Sequence, residues 1–225
     1  MQTILAPKKL ASDILFETSS DSLGNSVQTF NLIINLSKGT TIMPYFENED
    51  IQRVFSTYIH FFNPDVEIST SINIKEQKTI KAIKDLPVGT VIFVHTGEIS
   101  NSNTRTSIQI GDNKHIEPGP FGMYTNHSCE PNGVIRTKIN EFSDTATIAL
   151  IASKRVRKGE EVTFDYATTE SFVTLDAKIS ECLCGSIKCR GKIMGFNDIS
   201  KSERQFLFDS GLLADHLESQ YRKLL

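Results

Sequence analysis

The four cysteines of this 225-residue chain are the side chains best suited to chemistry, and their spacing narrows what that chemistry can be. Three fall together as Cys182-Leu183-Cys184-Gly185-Ser186-Ile187-Lys188-Cys189, and the fourth lies upstream in Asn126-His127-Ser128-Cys129-Glu130-Pro131-Asn132. Thiols one residue apart are awkwardly placed to bridge each other. They suit chelation better, and four thiolates complete a tetrahedral zinc ion with no open position, so the site is read as structural. Two disulfides, which a reducing compartment disfavours, and four unrelated buried thiols are the competing readings of the spacing. The stretch around Cys129 also gathers amides, an imidazole and a proline. A plain strand connection has no need of that mixture.

The elements that must position these residues are mostly short strands. Runs rich in Ile, Val, Thr and Phe, punctuated by Gly, Pro, Asn and Asp, predict strands at 14–17, 30–36, 67–74, 79–83, 90–95, 106–110, 134–138, 145–152 and 161–164. One early helix is expected over 49–62 from the spacing of Ile51, Val54, Phe55, Tyr58 and Phe62, closed by Asn63-Pro64. Near the end, Ser200 and Glu203 have the spacing of a capping box, and Gly211 is placed to stop that helix. Leu213, Leu217, Tyr221 and Leu224 then recur at helical steps over 212–225 and read as a packing stripe. The fold class is therefore mainly β (α+β), with C-terminal helices.

Composition sets the outer limits. Hydrophobic residues make up 39%, charged residues 23%, and the net charge is -3, which argues against direct nucleic-acid binding. The basic run Lys154-Arg155-Val156-Arg157-Lys158 reads as a solvated turn. No apolar run approaches the roughly 18 residues of a membrane span, and residues 1–10 do not look like a secretory signal. An intracellular protein, cytoplasmic or nuclear, and a monomer, is expected.

Three motifs in order carry a resemblance: Asn126 to Asn132, then Gly159-Glu160-Glu161-Val162-Thr163-Phe164-Asp165-Tyr166, then the cysteine cluster with Arg190-Gly191. Together they resemble a SET domain with a post-SET zinc segment, in the style of compact fungal and bacterial SET proteins. The resemblance implies small β-sheets in which the first two motifs thread together as a pseudoknot. It divides the chain into an N-terminal extension (1–66), a SET domain (67–170), a post-SET segment (171–195) and a helical tail (196–225). It implies S-adenosylmethionine as cofactor, contacted by Asn126, His127 and Leu183, and by Lys78 and Thr79 where the family usually carries Gly-x-Gly. Structural zinc on Cys129, Cys182, Cys184 and Cys189 follows too. The reacting end falls to Tyr166, with Phe164 and Tyr124 beside it, and the substrate becomes a lysine in a protein or peptide, a histone tail being the leading example.

The chemistry accounts for such residue types. Lysine has a pKa of about 10.4, so at pH 7 only about one in 2,500 is neutral and nucleophilic, a handicap of roughly 4.6 kcal/mol. An aromatic channel disfavours the ammonium by desolvation, and Tyr166 orients the amine and stabilises positive charge as the methyl group moves. Phe164 stands where the family has Phe or Tyr, and a phenylalanine leaves room for di- and trimethylation. Gln77-Lys78-Thr79 departs from Gly-x-Gly, Met123-Tyr124-Thr125 from Arg-Phe-Ile, and His95 stands where a tyrosine is common. These departures keep a second class in view: a SET-fold protein acting on a small molecule or binding a partner without catalysis.

Overall fold

A computed structural model describes residues 60–74, 76–140, 143–173 and 181–225, with the strand backbone of three earlier segments. Those segments, β1 (Ile14–Ser19), β2 (Thr29–Leu36) and β3 (Gly39–Ile42), form an antiparallel sheet within a compact unit spanning 1–56. The second unit spans 57–225 and carries both sequence motifs and the cysteines.

Two four-stranded sheets and a hairpin build the second unit. β4 (His60–Phe62), β7 (Val91–Glu98), β11 (Gly133–Ile139) and β12 (Thr145–Ala152) form one sheet in the order β11-β12-β7-β4. β5 (Val66–Thr70), β6 (Lys78–Ala82), β10 (Asn126–His127) and β13 (Glu161–Phe164) form the other in the order β10-β13-β6-β5. β8 (Ile108–Gly111) pairs with β9 (Lys114–Ile116). β7 is buried along all but its last residue, as a strand covered on both faces must be, and Ile92 and Phe93 are fully enclosed.

Strand prediction succeeds where β-branched runs end in glycine turns. Two such turns are near-copies: Pro87–Thr90 and Arg157–Glu160 each close with a carbonyl-to-amide bond, and Gly89 and Gly159 hold φ of 88° and 89°. A side chain is strained there. The basic run belongs to the second turn, where Arg155 pairs with Asp85 at the surface. The strand expected over 67–74 stops at Thr70, because Ser71 to Ile74 turn to meet β13. The helix expected over 49–62 gives way at its end to β4, whose Phe61 and Phe62 pair with β7; its remainder lies outside the described residues.

The tail forms α2 (Lys201–Asp209) and α3 (Asp215–Arg222), following α1 (Gly119–Met123). Ser200 and Glu203 complete the capping box, and Gly211 sits just past α2 with φ 62°. Leu207, Phe208, Leu213, Leu217 and Tyr221 make a second core with Phe196 and Ala167, while Leu224 is exposed and leaves the stripe. This core backs the 3-10 turn Tyr166–Thr168: Ala214 donates to the Thr168 carbonyl at 2.8 Å, and His216 Nε2 lies 2.9 Å from the Thr169 carbonyl. Arg136 on β11 holds the Gly211 and Leu213 carbonyls.

Candidate active site and metal centre

The two motif segments run side by side as a parallel pair, Asn126 opposite Thr163 and His127 opposite Phe164. Two residues of parallel pairing are a weak ladder, and Asn132 supplements it. Its side-chain amide donates to the Glu161 carbonyl at 2.8 Å and its side-chain oxygen accepts the Thr163 amide at 2.9 Å. A side chain thus supplies two missing ladder bonds. Gly133 follows because a Cβ there would lie 2.9 Å from the Thr163 carbonyl and from Leu150.

This pair separates two cavities. Successive strand residues face opposite ways, so Thr163 lines one and Phe164 the other. The first cavity, about 280 Å³, is walled by Ser71 to Ile74, Asn126, His127, Asn132, Glu161, Leu183 and Cys184. That is close to the lower end of the roughly 300–1,000 Å³ usual for small-molecule clefts. Leu183 and Ile72 stand 48% and 68% exposed, offering an apolar wall for a flat ring. Asn126 is fixed by Gln77 Nε2 at 2.7 Å and donates to the Lys78 carbonyl at 3.1 Å.

Lys78 and Thr79 serve the cleft from behind: Lys78 through that carbonyl, Thr79 by donating to Glu161 Oε2 at 2.9 Å. Neither lines the cavity. Glu161 Oε1 accepts from Ser71 Oγ at 2.9 Å and the Ile72 amide at 2.5 Å. The carboxylate therefore pins the 71–74 turn over the cleft. Sequence reasoning gave Glu161 no such role, although it stands inside the second motif.

The second cavity is smaller, about 70 Å³, and lies between the 103–108 segment, Met123, Thr125, Phe164, Tyr166, Glu170 and Phe172. Tyr166 donates its hydroxyl to the Thr125 carbonyl at 3.3 Å and packs on Phe164 and His127 with ring centroids 4.9 and 5.2 Å apart. Burial, with the nearby Glu170 charge, pushes its hydroxyl up to about 12, with Arg105 opposing. At neutral pH Tyr166 is therefore a protonated phenol, a dipole rather than a base. Tyr124 packs against the main core and lines neither cavity; its neighbours Met123 and Thr125 do. His95, buried on β7, also lines neither, and it packs against Gly97 and Gly119.

The four cysteine sulfurs lie within 4.8 Å of one another, with Cys129 and Cys182 Sγ 3.8 Å apart. Zinc–sulfur bonds of about 2.3 Å put tetrahedral sulfurs about 3.8 Å apart, so the donor set fits such an ion. All four are free thiols, which removes the disulfide reading. Burial works against the Cys184 thiolate, yet amide donors and sulfur neighbours hold it down to about 7, whereas burial pushes Cys182 well up.

The cluster is tied to Tyr166 twice. His127 Nδ1 accepts the Tyr166 amide at 3.2 Å, and burial aided by the Arg190 charge lowers the imidazole to about 3. The neutral ring therefore carries its proton on Nε2, which faces Cys129 Sγ at 3.3 Å. Its 3.5 Å approach to Asp165 is a contact between two acceptors rather than an ion pair. Asp165 pairs instead with Arg190, whose Nη2 lies 2.5 Å from Oδ1, an oxygen that also takes the Ala167 amide at 3.0 Å. Burial raises the Asp165 carboxyl and Arg190 opposes that. We read the pair as ionised, since two donors converge on one oxygen and guanidinium keeps its proton.

The SET domain family profile matches residues 34–167, more than half of the chain, and the chain belongs to that family. Similar relatives include the Neurospora crassa histone-lysine N-methyltransferase, H3 lysine-9 specific dim-5, 43% identical over 77 residues that cover 30% of this chain and 23% of that protein. An H3 lysine-36 specific histone-lysine N-methyltransferase of Yarrowia lipolytica is 29% identical over 134 residues, covering 52% and 17%. The chain thus spans less than a quarter of either relative. Among solved structures, KRYPTONITE in complex with mCHH DNA, an H3(1-15) peptide and SAH aligns at 21% identity with a TM-score of 0.46, covering 59% of this chain and 30% of that one. Among the described residues, no helix is long and apolar enough to cross a membrane.

Proposed function

We propose that this chain is an S-adenosylmethionine-dependent protein-lysine N-methyltransferase, with a histone tail as the leading substrate. The observation that carries this reading is the pair of cavities back to back across β10 and β13, Asn126 and His127 on one side, Phe164 and Tyr166 on the other. S-adenosylmethionine bound in the larger cleft supplies an electrophilic methyl group. Asn126, with His127 and the Leu183 wall, holds it there; Lys78 and Thr79 support the same wall through their bonds to Asn126 and Glu161. Phe164 and Tyr166 form the channel for the amine, and the Tyr166 dipole stabilises positive charge growing on nitrogen. Tyr124 shapes the segment from behind. The four cysteines hold zinc, which fixes residues 181–191 against Asp165 and His127.

The division into extension, SET domain (67–170), post-SET segment (171–195) and tail (196–225), like an intracellular monomer, belongs to the same proposal. Purified chain, radiolabelled S-adenosylmethionine, core histones and a cell extract test it. Label is expected in protein and to fall about 100-fold or more in Tyr166→Phe. Cofactor binding without any protein labelling sinks the reading.

A further inference from the structure

Tyr166 cannot take the proton that a lysine ammonium must shed before it reacts, and His127 is committed to Tyr166 and Cys129. One acid shares the small cavity with Phe164 and Tyr166: Glu170. It is one turn beyond Tyr166, with its amide donating to the Tyr166 carbonyl at 2.8 Å. Its carboxyl is held at one oxygen, Oε1 accepting the Gln109 amide at 2.9 Å and Thr169 Oγ1 at 3.1 Å. Gln109 returns the clamp, its side-chain oxygen accepting the Ser171 amide at 2.8 Å. Among the described residues both donors fall on Oε1, so Oε2 is the oxygen left for the cavity.

We propose that Glu170 is the proton acceptor for the substrate ammonium, a further catalytic residue that rests on the methyltransferase reading. The ammonium N–H bond breaks and its proton passes to Oε2, giving a carboxylic acid and a neutral amine. The amine lone pair then forms the N–C bond as the methyl's bond to sulfur breaks, its electrons remaining on sulfur. The carboxylic acid returns its proton to solvent. Burial pushes the Glu170 carboxyl up to about 7, against the two donors, which matches a base working near neutral pH. The titratable groups around it are the Tyr166 hydroxyl, which stays protonated, Arg105, which lines the same cavity, and His216 of α3, which burial lowers and which reaches the adjoining Thr169 carbonyl.

Rates of methyl transfer to core histones between pH 6 and 10 test this in the full chain, Glu170→Gln and Glu170→Asp. Glutamine retains the Oε1 acceptor and so the clamp. The wild type should level off above about pH 7. Glu170→Gln should lose about 100-fold at pH 7, and regain about tenfold per pH unit toward lysine's own pKa of about 10.4, with S-adenosylhomocysteine binding unchanged. Glu170→Asp should keep the plateau. Recovery at high pH separates lost base from lost fold, since a misfolded variant gains nothing there. A Glu170→Gln profile parallel to wild type, or a loss that high pH leaves untouched, overturns the role while the methyltransferase reading stands. A wild type that labels no protein overturns both.

Discussion

The two flanks of Tyr166 are secured by opposite strategies. Toward the cysteines, residues 181–191 show little buried apolar surface: Cys182 is buried, but Leu183 is 48% and Ile187 95% exposed. Their hold on the site runs through four sulfurs, one imidazole and one guanidinium, together with Ser186 and Lys188 on Glu130. Toward the tail, the same turn rests on a dry cluster of Phe196, Leu207, Leu213, Leu217 and Tyr221. One flank gathers four sulfurs that fit a metal ion, the other relies on burial. The lesson is that a short loop cannot supply enough apolar area to order itself, whereas two amphipathic helices can.

Metal removal should break that contrast most sharply. Structural zinc contributes on the order of 10 kcal/mol or more to small metal-stabilised units, so Cys184→Ser or chelation is expected to abolish cofactor binding while α2 and α3 keep amide protection in hydrogen exchange. Equal loss of protection in both flanks would refute the division. Next in size, Leu217→Ala should destabilise the chain by about 2–5 kcal/mol, read as a lower urea midpoint. Metal content should stay at wild-type level.

Asn132→Ala tests the rung between the flanks. Two half-buried backbone groups lose their partner, at about 1–3 kcal/mol each at most, and cofactor affinity should fall with stability because β10 and β13 drift apart. Stability lost with affinity unchanged would show that the rung does not shape the cleft.

The smallest effect concerns Glu170. Its folded pKa is raised to about 7 from an ordinary 4.5. Between those values the native state keeps a proton that the unfolded state has lost, so wild-type stability falls as pH rises through this window and the Glu170 contribution is constant outside it. Glu170→Gln should therefore gain a few degrees in Tm over wild type between pH 4.5 and 7. A difference in Tm that is flat with pH removes the buried-charge account. Phe164→Tyr, meanwhile, should shift products toward monomethyl-lysine by mass spectrometry with little change in stability.

Much of this was open to reading from the chain. β12 and β13 match their expected limits, because alternation and flanking turns agree there, and the capping box at Ser200 is purely local chemistry. The three motifs placed Asn126, His127, Phe164, Tyr166 and the cysteines in one neighbourhood. The cysteine spacing pointed to a tetrahedral donor set even though Cys129 is far from the others in sequence. Residues 49–62 were misread at their end because Phe62 fits a helical stripe and a strand edge equally well, and only pairing with β7 decides between them.

What the sequence determined by itself is identity and local form: which residues carry donors, where strands turn, which helices cap. Tertiary structure alone decided partnership. Glu161 became the anchor of the 71–74 turn, Asn132 a ladder rung, and Glu170 a carboxyl clamped by Gln109 in the small cavity that Tyr166 lines, while Tyr124 went to the core. These are long-range hydrogen bonds and burial, which depend on residues 29 to 90 positions away and leave no periodic signal in the chain.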